Sequence, residues 1–152
     1  MCQVKSKLPV ILGIAPSGQI IYTRTSDAPP NRQELYSVNA DGTGTIVLTN
    51  APDHRKYFMG VTSGGQVIYE RQLITGGDID LYSVNVDGTG AAVLANSTDN
   101  DYFSSITPSG RVIYERYVSA SGQMDIYSVN ADGTGTVPLA NSIDNEYIYP
   151  RF

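Results

Sequence analysis

With 152 residues the chain can enclose one hydrophobic core, and its formal net charge of −5 disfavours nucleic acid, whose phosphates require clustered lysine and arginine. The single cysteine, Cys2, excludes an internal disulfide and a cysteine-based zinc site, and no apolar run approaches the roughly 20 residues of a membrane span. A charged fraction of only 16%, together with 15 glycines and 11 tyrosines, is typical of an all-β protein with many tight turns.

The first predicted elements along the chain are a short apolar segment, a tight turn and a strand rich in β-branched and aromatic residues. The strand at 18–24 reads Gly-Gln-Ile-Ile-Tyr-Thr-Arg, and closely similar residues recur at 65–71 and 110–116. Bounded by glycine and serine, this composition predicts β-strands. The apolar segments that precede them are predicted as the first strand of each unit and lie at 10–15, 57–62 and 102–107.

A third strand and a tight turn follow a loop of varied sequence. The residues Leu-Tyr-Ser-Val-Asn-Val-Asp-Gly-Thr-Gly stand at 81–90, and near copies stand at 35–44 and 126–135. Alternation in the first half predicts a strand, and Asp-Gly-Thr-Gly predicts a chain reversal because these residues tolerate positive φ. A fourth apolar run closes each unit, at 45–49, 91–95 and 136–140, and the varied loops lie at 25–33, 72–78 and 117–123.

This repetition predicts a β-propeller with three blades of four antiparallel strands. Stacking such units covers both faces of each sheet, whereas the competing β-solenoid has shorter repeats without three hairpin turns. Nine of the eleven tyrosines recur at three equivalent positions, which favours packing between blades over a ligand site. We expect one repeat domain over 1–152, with blade one at about 9–50, blade two at about 57–96 and blade three at about 102–141.

Three blades alone make too small a ring, because propellers typically have about four to eight. Two chains related by a two-fold axis would supply six blades and cover the exposed end sheets, so we expect a homodimer. The segment 147–152 aligns with a first strand and is expected to close the ring or to exchange with the partner; a gene fragment without independent function is the alternative. The residues expected at this contact are Tyr147, Ile148, Tyr149 and Phe152.

The segments 80–90 and 125–135, the Pro-Ser-Gly turns and the residues 149–152 resemble the TolB-type propeller repeat, a WD-like repeat. The resemblance implies a six-bladed ring. In that family the unit occurs in periplasmic scaffold proteins and beside the hydrolase domains of peptidases. The family's usual Ser-Pro-Asp-Gly turn lacks its aspartate here, for example at 15–18, which weakens the transfer of any particular partner.

Charged residues flank the hairpins between the second and third strands. In antiparallel pairing Arg71 should face Asp80, and Arg116 should face Asp125, so these are predicted as structural cross-strand ion pairs. Arg24 and Glu34 are the first-repeat equivalents, so the same pair is expected there. Because the pair recurs in every unit, a structural role is favoured over an anion-binding site.

No catalytic or metal-binding constellation is predicted. The Asp-Gly-Thr-Gly turns lack the first acidic ligand and the distal glutamate of a calcium loop, and His54 is the only histidine. The serines do not lie in a nucleophile-elbow context. We therefore expect no cofactor and no enzyme activity. The alternative is a metal-dependent propeller enzyme of lactonase, lyase or hydrolase type.

The links between blades are the predicted binding surface, because loops on a rigid scaffold usually carry function and these links differ in charge. The predicted function is a non-enzymatic scaffold that binds a protein, peptide or glycan through this loop face. Either the bacterial cytoplasm or the periplasm suits such a protein, although 8–15 faintly resembles the apolar part of a signal peptide. The candidate residues on the loop face are His54, Arg55, Asp99, Asp101, Asp144 and Glu146.

Overall fold

The computed structural model describes residues 8–25 and 33–141, which form twelve β-strands and no helix. Sheet 1 contains β1 (Val10–Ile14), β2 (Ile20–Thr25), β3 (Gln33–Val38) and β4 (Ile46–Val47). Sheet 2 contains β5 (His54–Val61), β6 (Gln66–Leu73), β7 (Ile79–Asn85) and β8 (Ala92–Ala95). Sheet 3 contains β9 (Asn100–Ile106), β10 (Val112–Val118), β11 (Gln123–Val129) and β12 (Val137–Ala140).

Each sheet is an antiparallel meander in which strands that follow one another in the chain lie side by side. This confirms the predicted all-β class and the four-stranded repeat. Within the described ranges no helix has the length and hydrophobicity that a bilayer crossing requires.

Paired tyrosines mark the centre of each sheet. Tyr69 lies opposite Tyr82 in the register of β6 and β7, and their rings stack with centroids 5.7 Å apart. The equivalent pairs in sheets 1 and 3 stack at 5.4 and 5.3 Å. Three stacked pairs at equivalent positions make these tyrosines part of the repeated packing, since offset aromatic pairs stabilise neighbouring strands.

The sheets pack face to face and enclose two hydrophobic cores. Alternation along β6 sends Val67 and Tyr69 into the first core, which lies against sheet 1, and sends Ile68 into the second core, which lies against sheet 3. The middle sheet is therefore buried on both faces. The first core also contains Ile21, Leu35 and Leu48 of sheet 1, and the second also contains Val112, Tyr114 and Val129 of sheet 3.

A serine on the third strand of one sheet ties it to the next sheet. Ser37 Oγ donates to the carbonyl of Val86 at 2.7 Å, and Ser83 Oγ donates to the carbonyl of Ala131 at 2.6 Å. Both hydroxyls belong to residues with no exposed surface. Because a buried carbonyl without a donor is costly, these bonds hold the register between sheets as well as the distance between them.

The two ends of the stacked sheets differ in chemistry. We call the end that carries the turns at 15–18, 39–44, 62–65, 85–90, 107–110 and 130–135 the turn face. Here Asp41 Oδ1 accepts from both the amide and the hydroxyl of Thr43, at 2.9 and 2.7 Å, and Gly42 has a φ of 82°. Asp87 and Asp132 make the same bonds to Thr89 and Thr134, and in each turn the threonine hydroxyl lowers the pKa of the aspartate.

Candidate functional site

The opposite end of the stack, which we call the link face, comprises residue 34, the links 49–56 and 96–101, and the segments 71–80 and 116–125. Backbone and side-chain bonds join these parts. The amide of Ile74 donates to the carbonyl of Asp53 at 2.9 Å. The amide and hydroxyl of Ser119 donate to Asp99 Oδ1 at 2.9 and 2.6 Å. Each link between sheets is therefore fixed to the hairpin loop beside it.

At the first junction, between sheets 1 and 2, a buried ion pair crosses from one sheet to the other. Lys56 Nζ lies 2.6 Å from Glu34 Oε1 and also donates to the carbonyl of Ala51. Thr49 Oγ1 donates to the other carboxylate oxygen of Glu34 at 2.5 Å. The lysine side chain has no exposed surface and the glutamate side chain is 15% exposed. Glu34 is thus paired with Lys56 across the junction and not with Arg24.

At the second junction, between sheets 2 and 3, the position of Lys56 is taken by an acid. Asp101 lies opposite Arg116 in the register of β9 and β10, as Lys56 lies opposite Arg71 in sheet 2. Arg116 Nε and Nη2 donate to the two oxygens of Asp101 at 2.6 and 3.1 Å. Burial raises the pKa of Asp101 and the arginine opposes that rise. Asp101 is fully buried, which differs from its expected place on the exposed binding surface.

The predicted cross-strand ion pairs differ from those observed. Arg71 lies opposite Asp80, and Arg116 lies opposite Asp125, in the register of the sheets. The carboxylate bound by Arg116 is nevertheless that of Asp101, because a central strand has a neighbour on each side and the buried carboxylate is the closer acceptor. The guanidinium of Arg71 lies over the ring of Tyr82, 4.2 Å from its centroid, a cation–π contact.

Two buried polar atoms of sheet 2, on facing residues of β6 and β7, have no hydrogen-bond partner within the described part of the chain. They are Arg71 Nε and Asp80 Oδ1. Burial raises the pKa of Asp80, and the nearby charge of Asp101 raises it further. Buried donors and acceptors in folded proteins are normally satisfied, so an unsatisfied pair marks a place where water or a ligand group would be stabilised. This pair is the strongest sign of a binding site on the link face.

The other candidates have mixed surroundings. His54 Nδ1 lies 2.8 Å from the exposed carboxylate of Asp53, whose pKa that contact lowers, and Arg55 is exposed. The carboxylate of Asp99 accepts a hydrogen bond from the hydroxyl of Ser119, and this bond lowers the pKa of Asp99. The predictions for Asp144, Glu146, Tyr147, Ile148, Tyr149 and Phe152 fall outside the described residues.

Sequence reasoning missed Lys56 as a buried residue. The signal was present in the repeat alignment, because Lys56 and Asp101 occupy equivalent positions with opposite charge. A charge that changes sign between otherwise similar repeats indicates a position whose partner also changes. Among the described residues no three histidine, cysteine, aspartate or glutamate side chains come together as metal ligands.

Two polar clefts open on the turn face, one beside each junction. The first has a volume of about 610 Å³ and is lined by Gln19, Gln66 and Asn85, among others. The second, of about 270 Å³, contains Arg111, whose guanidinium donates to Ser128 Oγ, Asn130 Oδ1 and the Gly135 carbonyl. The two clefts lie at equivalent positions of successive sheets, and their polar groups are hydrogen-bonded within the protein. Stacking of the sheets therefore explains both clefts without a ligand.

The described fold is similar to that of a solved protein from Agrobacterium tumefaciens that is provisionally assigned as TolB. The TM-score is 0.60 and the identity 20%, and the similarity covers 89% of this chain and 50% of that one. The chain therefore spans half the length of the structure it matches. No known family profile matches the sequence, and no curated protein matches it. At this identity the likeness concerns the fold, and it confirms the predicted TolB-like propeller architecture.

Proposed function

We propose that the chain is a non-enzymatic propeller scaffold that binds a protein, peptide or glycan through the part of the link face that sheet 2 contributes. The observation that supports this most is the unpartnered pair, Arg71 Nε and Asp80 Oδ1, on residues that face each other across β6 and β7. A donor and an acceptor on facing residues match the hydrogen-bonding groups of a peptide amide or of a sugar hydroxyl pair.

The contrast between the two ends of the stack also favours the link face. On the turn face, the same aspartate–threonine bonds recur in all three turns. On the link face, the two junctions differ in the charge at the position of Lys56 and Asp101. Identical repeats are explained by folding alone, whereas divergence on one end of a rigid scaffold is what selective binding requires.

The scaffold that we propose contains two copies of the chain. Each end of the stack of three described sheets presents exposed apolar side chains, including Ile14 at 69% at one end and Leu139 at 56% at the other. Apolar surface of this kind is covered in stable assemblies. Two copies would supply six sheets, a number within the usual range for a closed ring.

The test is to find a ligand on peptide and glycan arrays and to measure its affinity for Arg71→Lys. Lysine keeps the charge but lacks Nε, so we expect binding to weaken at least tenfold, the effect of losing a hydrogen bond to a charged group. The matched control is Arg24→Lys, which makes the same change at the equivalent, exposed position of sheet 1. Equal affinities for wild type and Arg71→Lys would place the site elsewhere.

A further inference from the structure

Both internal junctions join the same two kinds of surface. The outgoing surface of a sheet faces the next sheet along the chain and presents a leucine of the fourth strand and the serine that donates to the next sheet. The incoming surface presents the valine–tyrosine side of the second strand and the carbonyl that accepts from the serine. In the first junction these groups are Leu48, Ser37, Val67, Tyr69 and Val86. In the second they are Leu94, Ser83, Val112, Tyr114 and Ala131.

Sheet 3 carries an outgoing surface whose apolar residues are exposed. Leu139 is equivalent to Leu48 and Leu94, which are 7% and 4% exposed, yet Leu139 is 56% exposed. Val137, two residues away on the same side of β12, is 46% exposed. The serine of this surface is Ser128. Its oxygen accepts from Arg111 Nη2 at 2.9 Å, which leaves the hydroxyl proton free to be donated.

Sheet 1 carries the matching incoming surface. Ile11 and Ile14 are each 69% exposed, although the residues at their positions in sheet 2, Phe58 and Val61, pack against the first core. Ala40, which stands where Val86 and Ala131 accept the serine hydroxyl, is exposed as well. The half-buried residues of this surface are Ile20, Tyr22, Tyr36 and Val38, whose equivalents in sheet 2 are almost fully buried.

We propose that the outgoing surface of sheet 3 docks on the incoming surface of sheet 1 of a second copy, and that the reciprocal contact forms at the same time. This inference rests on the proposed pairing of two copies and names the surfaces that meet. In the contact, Ser128 donates to the Ala40 carbonyl of the second copy, and Leu139 covers the side of that copy's sheet 1 that carries Tyr22 and Tyr36. One chain thus holds both halves of an interface that it already forms twice internally.

The chemistry favours this order over contacts between like surfaces. Two outgoing surfaces would bring two serine donors together without the carbonyl acceptor that each internal junction supplies. Two incoming surfaces would bring acceptors together without donors, and a buried unpaired group costs about 1–3 kcal/mol. Reciprocal outgoing-to-incoming contacts are related by a two-fold axis, so two copies satisfy every such group and leave neither surface exposed.

The test is the molar mass in solution of three variants of the full chain. Leu139→Asp alters only the outgoing surface, Ile14→Asp alters only the incoming surface, and Val93→Asp is the control, since Val93 is 49% exposed in the middle sheet. We expect wild type and Val93→Asp to have about twice the chain mass of 16.4 kDa, and each surface variant alone to have 16.4 kDa. An equimolar mixture of Leu139→Asp and Ile14→Asp should regain the paired mass, because one contact in the mixed pair is intact.

The outcomes distinguish the pairing of two copies from the particular surfaces that meet. A wild-type mass of 16.4 kDa overturns the pairing of two copies, and a mass of three or more copies overturns closure by two. A wild-type pair that survives both surface variants, or a mixture that stays at the single-chain mass, overturns the docking order alone. Circular dichroism shows whether each variant keeps its β-sheet structure. If Leu139→Asp or Ile14→Asp loses it, the milder Leu139→Ser or Ile14→Ser takes its place. Ligand affinity of the single-chain variants tests the link-face site independently.

Discussion

The first and second junctions share their apolar packing and their serine bonds but differ in how charge is accommodated. At the first junction Lys56 crosses to Glu34 of the neighbouring sheet. At the second, Asp101 binds Arg116 of its own sheet, and the buried Asp80 Oδ1 has no hydrogen-bond partner among the described residues. The packing that builds the stack is thus constant, while the charged end of each junction varies independently. A site for a specific ligand is best sought where the variation leaves groups unpaired.

The largest effect should come from breaking the ion pair of the first junction. Lys56→Met would leave the Glu34 carboxylate and the Ala51 carbonyl in a buried place without their donor, so we expect a loss of about 3 kcal/mol in the free energy of unfolding. Urea denaturation measures it. The double variant Lys56→Met with Glu34→Gln should recover most of the loss, because it removes the unpaired charge. A single variant as stable as wild type would show that this pair contributes nothing.

A smaller effect, equal at both junctions, should follow removal of either serine hydroxyl. Ser37→Ala and Ser83→Ala each deprive a carbonyl of its donor, and we expect each to cost about 1–2 kcal/mol. Ser63→Ala, in an exposed turn, is the control and should change stability little. Losses that differ strongly between Ser37→Ala and Ser83→Ala would contradict the view that the two junctions share one packing scheme.

The smallest predicted effect is a slight gain in stability when Asp80, at the second junction, is made neutral. Asp80→Asn removes a carboxylate whose folded-state pKa is raised above 3.8 by burial and by Asp101, so we expect a slight gain in stability at pH 7. A raised pKa means that the folded state binds more protons. Its destabilising contribution is therefore full above that pKa and disappears as the pH falls toward 3.8. The gain should vanish over the same range in denaturation curves.

The equivalent change at the first junction, Glu34→Gln, should instead reduce stability, because Glu34 is paired with Lys56. Two neutralising substitutions at equivalent repeat positions would thus act in opposite directions. If both changes destabilised the protein to the same extent, the two junctions would have to handle charge alike.

The strands, the turns and the four-stranded repeat were predictable because each depends on neighbours in the chain. Successive side chains of a strand point to opposite faces, so Val67 and Tyr69 must lie on the same side of β6. Glycines at positive φ determine where the chain reverses in the Asp-Gly-Thr-Gly turns. The opposition of Arg71 to Asp80 also follows from counting residues along a hairpin.

Which carboxylate each buried cation binds could not be predicted from neighbours in the chain. Arg116 lies between Asp101 on one side and Asp125 on the other, and counting along the chain does not say which carboxylate it binds. Only the stacked sheets bury Asp101 and bring Lys56 to Glu34, 22 residues earlier. Coulombic and desolvation energies depend on distance and burial in three dimensions, so tertiary structure decided these pairs, whereas the order of apolar, glycine and aspartate residues had already specified the strands and turns.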